Sequence, residues 1–299
     1  MRTLVAPGSV LVGVDGSTGS DDAVRWAATY AAAQRRPLAI VHGAGAPESL
    51  VADFLVDLQQ ARLGLLRKGR TVTDRARALA WSITPSLNVR TRVEACDPRL
   101  LLAEEASEAH LMVLGRRGHG AVTSLLPGSV SLALAAHALC PVVVVRPAGD
   151  DDTSLRVVVG VDGVEDSTSA LTFAFELAAD QRRPLQVVHA AGPARLSPAL
   201  DTADGMAADM AGEVAADAGS VLVEWVAGFA EKFPDVSVTC EVVQGSAPGA
   251  LVAASEHAST VVVGARGCSA LTKRLLGSVS RSVVEHACCT VAVIRGAQT

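Results

Sequence analysis

Two stretches of the chain share one spacing: a glycine, two residues, a second glycine, nine residues, then Gly-Ser. In the first they are Gly115, Gly118 and Gly128-Ser129; in the second, Gly264, Gly267 and Gly277-Ser278. The chemistry that suits such a frame is anion binding. Glycines let the backbone turn through positive φ and bring N–H groups close to a ligand. The closing Gly-Ser opens a helix whose unsatisfied N–H groups and dipole favour negative charge. Arg117 and Arg266, inside the Gly-x-x-Gly, add forked donors for phosphate oxygens. The plainer alternative is a tight turn and a serine-capped helix. Two identical spacings, each directly after a Val-rich run, favour the anion site.

A second pair of residues points the same way. Asp15 and Asp162 end Val-rich runs, and each is followed by a glycine, Gly16 or Gly163. An acid at the end of a buried strand faces the cleft of a doubly wound sheet and can accept a sugar hydroxyl. The competing role is that of a turn or helix-capping aspartate.

The elements that must position these residues occur twice. VLVGVDGS (Val10 to Ser17) returns as VVVGVDGV (Val157 to Val164), and QRRPLAIVH (Gln34 to His42) returns as QRRPLQVVH (Gln181 to His189), both at an offset of 147. GRRG at Gly115 and GSVS at Gly128 match GARG at Gly264 and GSVS at Gly277, both at an offset of 149. A near-constant offset with one slip means duplication with an insertion in a middle loop. Pro147 to Ser154, with three aspartates, reads as a solvated linker. The domains are therefore set at 1–148 and 149–299.

Each copy alternates short buried strands with helical stretches. The strands read as Val10–Asp15, Leu38–His42, Asn88–Glu94, Leu111–Leu114 and Val142–Arg146. Their counterparts are Val157–Asp162, Leu185–His189, Val236–Val243, Thr260–Val263 and Thr290–Ile294. The first helix is expected to be capped by Ser20, with Asp21 and Asp22 at the positive end of its dipole. Such alternation implies right-handed βαβ crossovers, so the fold class is α/β: two tandem doubly wound, Rossmann-like domains with parallel sheets. Ligands then bind at the carboxyl ends of the strands, where the winding reverses.

Composition bounds the rest. Apolar residues make up 49% and charged residues 19% of 299, which excludes disordered and fibrous classes. Aromatics are only 3%, so the core must be Val, Leu and Ala, as suits strands buried on both faces. Leu132 to Val145 is too short to span a bilayer, and the first residues lack the apolar stretch of a signal peptide. No membrane partner and a cytoplasmic location are expected. The net charge of −5 argues against nonspecific nucleic-acid binding. Residues 1–150 carry 16 Lys+Arg against 13 Asp+Glu, and residues 151–299 carry 10 against 18. Arg62, Arg67, Lys68, Arg70, Arg75 and Arg77 account for much of this, opposite Asp201, Asp204, Asp209, Glu213, Asp217 and Glu224. They read as solvated faces, or as charges that pair between halves or subunits. The six cysteines lack metal-ligand spacing and are expected to be thiols, with no metal.

Taken together, VGVDG after the first strand, QRRPL before the second and the glycine loop running into GSVS resemble the universal stress protein family, in its ATP-binding, tandem-domain form. The resemblance covers nearly the whole chain. It implies five-stranded parallel sheets of the adenine nucleotide hydrolase-like type, domains paired through their last strands, and a nucleotide lying across the strand ends. It places Asp15 with Gly16, and Asp162 with Gly163, at the ribose side. Val41 and Val188 would offer backbone groups to adenine. Gly115, Arg117, Gly118, Gly128, Ser129 and Val130 would cradle the phosphates in the first half. Gly264, Arg266, Gly267, Gly277, Ser278 and Val279 would do so in the second. The implied ligand is ATP, with or without magnesium, in a homodimeric stress-response protein with no catalytic residue; its regulatory partner is not identified by sequence.

Departures between the copies matter. Ser17 has no hydroxyl counterpart at Val164, so a side-chain contact is expected to be missing there. Lys273 and Arg274 stand where the first loop has Ser124 and Leu125, and Pro127, which has no N–H, stands where the second has Leu276. Two unequal sites are expected. His42 and His189 either hydrogen-bond near the base or are satisfied strand-end histidines; His137 and His286 suit helix C-termini. His119 and Cys268 lie in the loops, and Cys268 beside Arg266 is a possible reactive thiol. A hydrolase is the competing class, yet no GxxxxGK[ST], HxGH or SGGxDS signature is present. A third class keeps the fold as an interaction module without nucleotide.

Overall fold

The computed structural model describes residues 5–45, 55–116, 128–146, 155–162, 167–191, 219–265 and 276–296. The chain divides into two compact units, Met1–Pro147 and Ala148–Thr299. The first unit runs β1 (Val10–Gly13), α1 (Thr18–Ala33), β2 (Leu38–Gly43), α2 (Leu55–Ile83), β3 (Val89–Glu94), α3 (Pro98–Glu105), β4 (Leu111–Gly115), α4 (Ser129–His137), β5 (Val142–Val145). Its sheet order is β3-β2-β1-β4-β5, and all four pairings are parallel.

The second unit runs β6 (Arg156–Val161), α5 (Thr168–Gln181), β7 (Leu185–Ala191), α6 (219–230), β8 (Val238–Gln244), α7 (Ala247–Ala254), β9 (Ala258–Gly264), α8 (Ser278–His286) and β10 (Thr290–Ile294). Its order is β8-β7-β6-β9-β10, again parallel throughout. In both units the winding reverses between the first and fourth strands, β1 and β4 or β6 and β9. The five strands per unit expected from the Val-rich runs are all present. The ends move by a residue or two because the flanking residues leave or join the ladder.

Aliphatic side chains fill both faces of the sheets. Val10, Leu11, Val12, Val157, Val158 and Val159 are completely buried, each contributing about 1.5–3 kcal/mol before conformational entropy is set against it. Helix α3 seals the first sheet through Leu102, which packs on Gly13; Leu251 of α7 packs on Gly160 in the same way. A Cβ on either glycine would fall 3.0 Å or less from these side chains.

The repeated QRRP motif is a helix stop. Arg35 and Arg182 adopt the left-handed region, with φ of 51° and 52°. Arg36 N–H donates to the Ala31 carbonyl and Arg35 N–H to that of Ala32; Arg183 and Arg182 repeat this on Ala178 and Ala179. That is the Schellman pattern with arginine where glycine is usual. The next arginine then anchors the sheet: Arg36 Nη1 donates to the Gly8 carbonyl at 3.0 Å, and Arg183 Nη1 to that of Leu155 at 2.8 Å.

Beside this stop in the first unit, His110 stacks on Tyr30 with ring centroids 6.2 Å apart. Burial first, and then the Arg36 charge, hold its imidazole below the usual histidine range. The unfolded chain therefore takes up this proton before the folded one does, so the first unit is expected to lose stability as the pH falls through about 6.5 and below. Urea unfolding of His110→Phe between pH 5 and 8 should show a smaller loss on acidification than the parent chain. An equal loss would exclude His110 as its source.

Candidate functional site

Where β1 ends, Val14 is still held on the sheet. Its N–H donates to the Val41 carbonyl at 3.0 Å, and His42 Nδ1 donates to its carbonyl at 2.7 Å. The carbonyl can only accept, so Nδ1 carries the proton. His42 is thus a strand-end anchor for the residue before Asp15, and His189 repeats the bond on Val161 at 3.1 Å. Gly16 follows with φ +86°, a turn that side chains disfavour. The chain then enters α1. Ser17, not Ser20, caps this helix: its Oγ accepts the Ser20 N–H at 3.2 Å. Ser17 is preferred because it lies one residue before the helical φ/ψ begin, while Ser20 is already in the first turn. The same Ser17 donates its hydroxyl and its N–H to Asp15 Oδ1, at 2.6 and 3.0 Å.

The glycine loop starts beside this turn. Gly115 ends β4 so close to α1 that a Cβ would lie 2.4 Å from the Gly19 carbonyl oxygen and 3.1 Å from Ser20 N. Its glycine is required for close approach, not for positive φ. Gly128 and Gly277 likewise have φ of −65° and −63° and act as helix N-caps. This corrects the expectation that these frame glycines turn through positive φ. The loop root is closed by Gly128 N–H donating to the Arg116 carbonyl at 2.7 Å, and by Arg116 N–H on that of Val145. In the second unit Gly277 N–H donates to Ala265, and Ala265 N–H to Ile294.

Glycine, not serine, takes the N-cap position of α4 and α8, and among the described residues neither helix has a side-chain cap, so the serine-cap alternative does not hold. Ser129 and Ser278 are the first helical residues and are exposed. Such a start offers N–H groups and a positive dipole end to an anion. The third residue of each helix fixes it in place. The buried Ser131 donates to the Gly115 carbonyl at 2.7 Å, and Ser280 to the Gly264 carbonyl at 2.5 Å. Sequence reasoning missed these serines, although their recurrence in both GSVS runs was a usable signal.

Of the expected site residues, Asp15, Gly16, Val41, Gly115, Gly128, Ser129 and Val130 gather at the ends of β1, β2 and β4. Asp162, Val188, Gly264, Gly277, Ser278 and Val279 take the equivalent places in the second unit. Val41 and Val188 are buried within the ladders, opposite Gly13 and Gly160. Arg117, Gly118, Gly163, Arg266 and Gly267 lie outside the described residues. So do His119, Pro127, Val164, Cys268, Lys273 and Arg274. Among the described residues no group of three or more His, Cys, Asp or Glu side chains could hold a metal ion, and no helix is long and apolar enough to cross a membrane. Cys96, Cys140, Cys240, Cys288 and Cys289 form no disulfide among the described residues.

Comparison with known proteins agrees with this fold and its duplication. The universal stress protein family model matches residues 8–146 and again 154–295. A universal stress protein of Mycobacterium tuberculosis (strain H37Rv) is 35% identical over 296 residues, covering 96% of each chain. One from Mycolicibacterium smegmatis is 32% identical over 298 residues, again covering 96% of each. Among solved structures, a universal stress protein from Archaeoglobus fulgidus superposes with a TM-score of 0.69 at 18% identity, covering 96% of this chain and 98% of that one. A functionally unknown protein of Pseudomonas aeruginosa PAO1 gives 0.60 at 16% identity, over 97% and 93%. These structures share the fold, and the sequence matches run through both repeats: the chain belongs to the universal stress protein family, in its tandem two-domain form.

Proposed function

We propose that this chain is an ATP-binding regulatory protein of the stress response, with a nucleotide site at the strand ends of each unit. The observation that carries the reading is the same in both. A helix with no side-chain cap opens beside a serine-held aspartate, where the winding of the sheet reverses. The helix N-terminus suits phosphate oxygens and the carboxylate suits a ribose hydroxyl. Phosphates would lie against Gly128, Ser129 and Val130, or Gly277, Ser278 and Val279, with Arg117 and Gly118, or Arg266 and Gly267, as the further partners the motif supplies. Adenine would lie toward Val41 or Val188. Magnesium, where it accompanies ATP, would ride on the phosphate oxygens. Bound ATP acts as a state signal in this reading, in a cytoplasmic homodimer, and no residue of the chain is assigned a catalytic role. Lys273 and Arg274 make the second loop the more electropositive, so it is the tighter of the two sites.

The test is to denature the purified chain and identify the released nucleotide by chromatography, with its amount per chain. Adenine nucleotide is expected. Gly118→Leu and Gly267→Leu should each remove one site's share and spare the other's. No released nucleotide, together with no heat of ATP binding by calorimetry, would overturn the reading in favour of an interaction module.

A further inference from the structure

The two aspartates at the strand ends are held by different serines, although the units are copies. In the first unit the hydroxyl comes from Ser17, two residues beyond Asp15. At the repeat offset of 147, valine occupies that position, as Val164. In the second unit Ser167 Oγ donates to Asp162 Oδ1 at 2.8 Å and accepts the Asp162 N–H at 3.1 Å. Ser167 is the counterpart of Ser20, whose hydroxyl, among the described residues, bonds the main chain, accepting from Gly16 N–H at 3.2 Å and donating to the Ser17 carbonyl at 2.8 Å. We propose that Ser167 is the positioning residue for Asp162, taking over in the second unit the role that Ser17 has in the first.

A second observation supports a role in positioning. Ser167 precedes α5 with φ −92° and ψ −4°, already in the helical region as Ser20 is in α1, and its side chain makes no cap hydrogen bond to that helix. Ser17 both caps its helix and holds its aspartate. Ser167 directs its hydroxyl to the Asp162 carboxylate instead. Ser167 is buried, at 4% exposure, while Asp162 is exposed, so the bond is fixed from its donor side and leaves the carboxylate open to a ligand. Fixing one carboxylate oxygen sets the direction in which the other presents its lone pairs. The ligand class this selects is a ribonucleotide, recognised through a sugar hydroxyl, in both units but through different serines.

The inference rests on the nucleotide reading above, and its test separates the two. The full-length chain carrying Gly118→Leu reports the second site, and the chain carrying Gly267→Leu reports the first. Affinities for ATP and for 2′-deoxy-ATP and 3′-deoxy-ATP are measured by calorimetry. Ser167→Ala should weaken ATP at the second site about tenfold, the value of a hydrogen bond to a charged group. It should leave unchanged the already weaker affinity for whichever deoxynucleotide lacks the recognised hydroxyl. Ser167→Thr should restore ATP, and Ser17→Ala should act in the same way at the first site. An equal loss for all three nucleotides would show that Ser167 only supports the fold and would overturn the proposal. So would an unchanged ATP affinity, or a failure of threonine to rescue a chain with an unaltered melting temperature. If only the first site binds ATP, the proposal falls and the nucleotide reading stands; if neither binds, both fall.

Discussion

Replacing Gly115 with alanine is expected to displace the start of α1 and to remove nucleotide from the first unit while the second keeps its own. The added Cβ would lie 2.4 Å from the Gly19 oxygen and 2.6 Å from the Gly19 carbonyl carbon. Both are backbone atoms, so no side chain can swing aside. Either β4 retreats from α1 or the first turn of α1 shifts. That turn contains Ser17, which orients Asp15, and β4 supports the Ser131 bond that seats α4. Either movement pulls apart the two halves of the proposed site. Overpacking of this kind costs about 1–3 kcal/mol, to be read as a lower urea midpoint for the first unit. A suitable control is Gly64→Ala in α2, where a Cβ meets nothing within 4 Å. That change should stabilise the helix by about 0.5–1 kcal/mol. Retention of both nucleotides by Gly115→Ala would separate the close β4–α1 contact from binding.

This contact also shows what sequence could and could not tell. The Val-rich runs announced the strands because a strand buried on both faces must be apolar at every position, and Val142–Val145 or Thr290–Ile294 read as little else. The frame glycines were equally visible, but their physical purpose was not. A glycine needed for positive φ and one whose Cβ would lie 2.4 Å from another backbone look identical in sequence. Only the return of α1 against β4, nearly a hundred residues apart, distinguishes them. The exchange of Ser17 for Ser167 was hidden for a related reason. The missing hydroxyl at Val164 could be read directly, whereas its replacement comes from a serine that in the first unit makes other bonds. The Ser20 cap was misjudged by one turn, since several serines there satisfy the local preference and only the φ/ψ of Ser17 decides. Duplication helped wherever both copies use a residue alike, as with QRRP and GSVS, and misled wherever one copy diverged.

The other large effect lies away from the proposed nucleotide site and in the first unit alone. Glu105, at the end of α3, is completely buried; it pairs with Arg92 Nη1 and accepts the Val5 N–H on Oε2 at 3.1 Å. Arg92 on β3 is itself only 9% exposed, with Glu94 3.6 Å from its Nε as a second, outer partner. At the 149 offset the second unit has Glu241 and Ala254 instead, so the fold does not require the pair. Breaking it is a different matter from lacking it. Glu105→Ala would leave the Arg92 guanidinium buried without its main counter-ion and the Val5 amide without its acceptor. A loss of about 3–5 kcal/mol is expected for removing one partner of a buried pair, toward the lower end because Glu94 can still face Arg92. Replacing both charges with apolar groups, Arg92→Met with Glu105→Leu, removes the stranded charge and should recover most of that loss. The Val5 amide would remain, at a cost of about 1–3 kcal/mol. Urea unfolding can read this for one unit at a time: in a Trp225→Phe background, Trp26 and Trp81 report the first unit only. If the double variant is as unstable as Glu105→Ala, the Val5 amide or the packing of α3, and not the uncompensated Arg92 charge, dominates at this position.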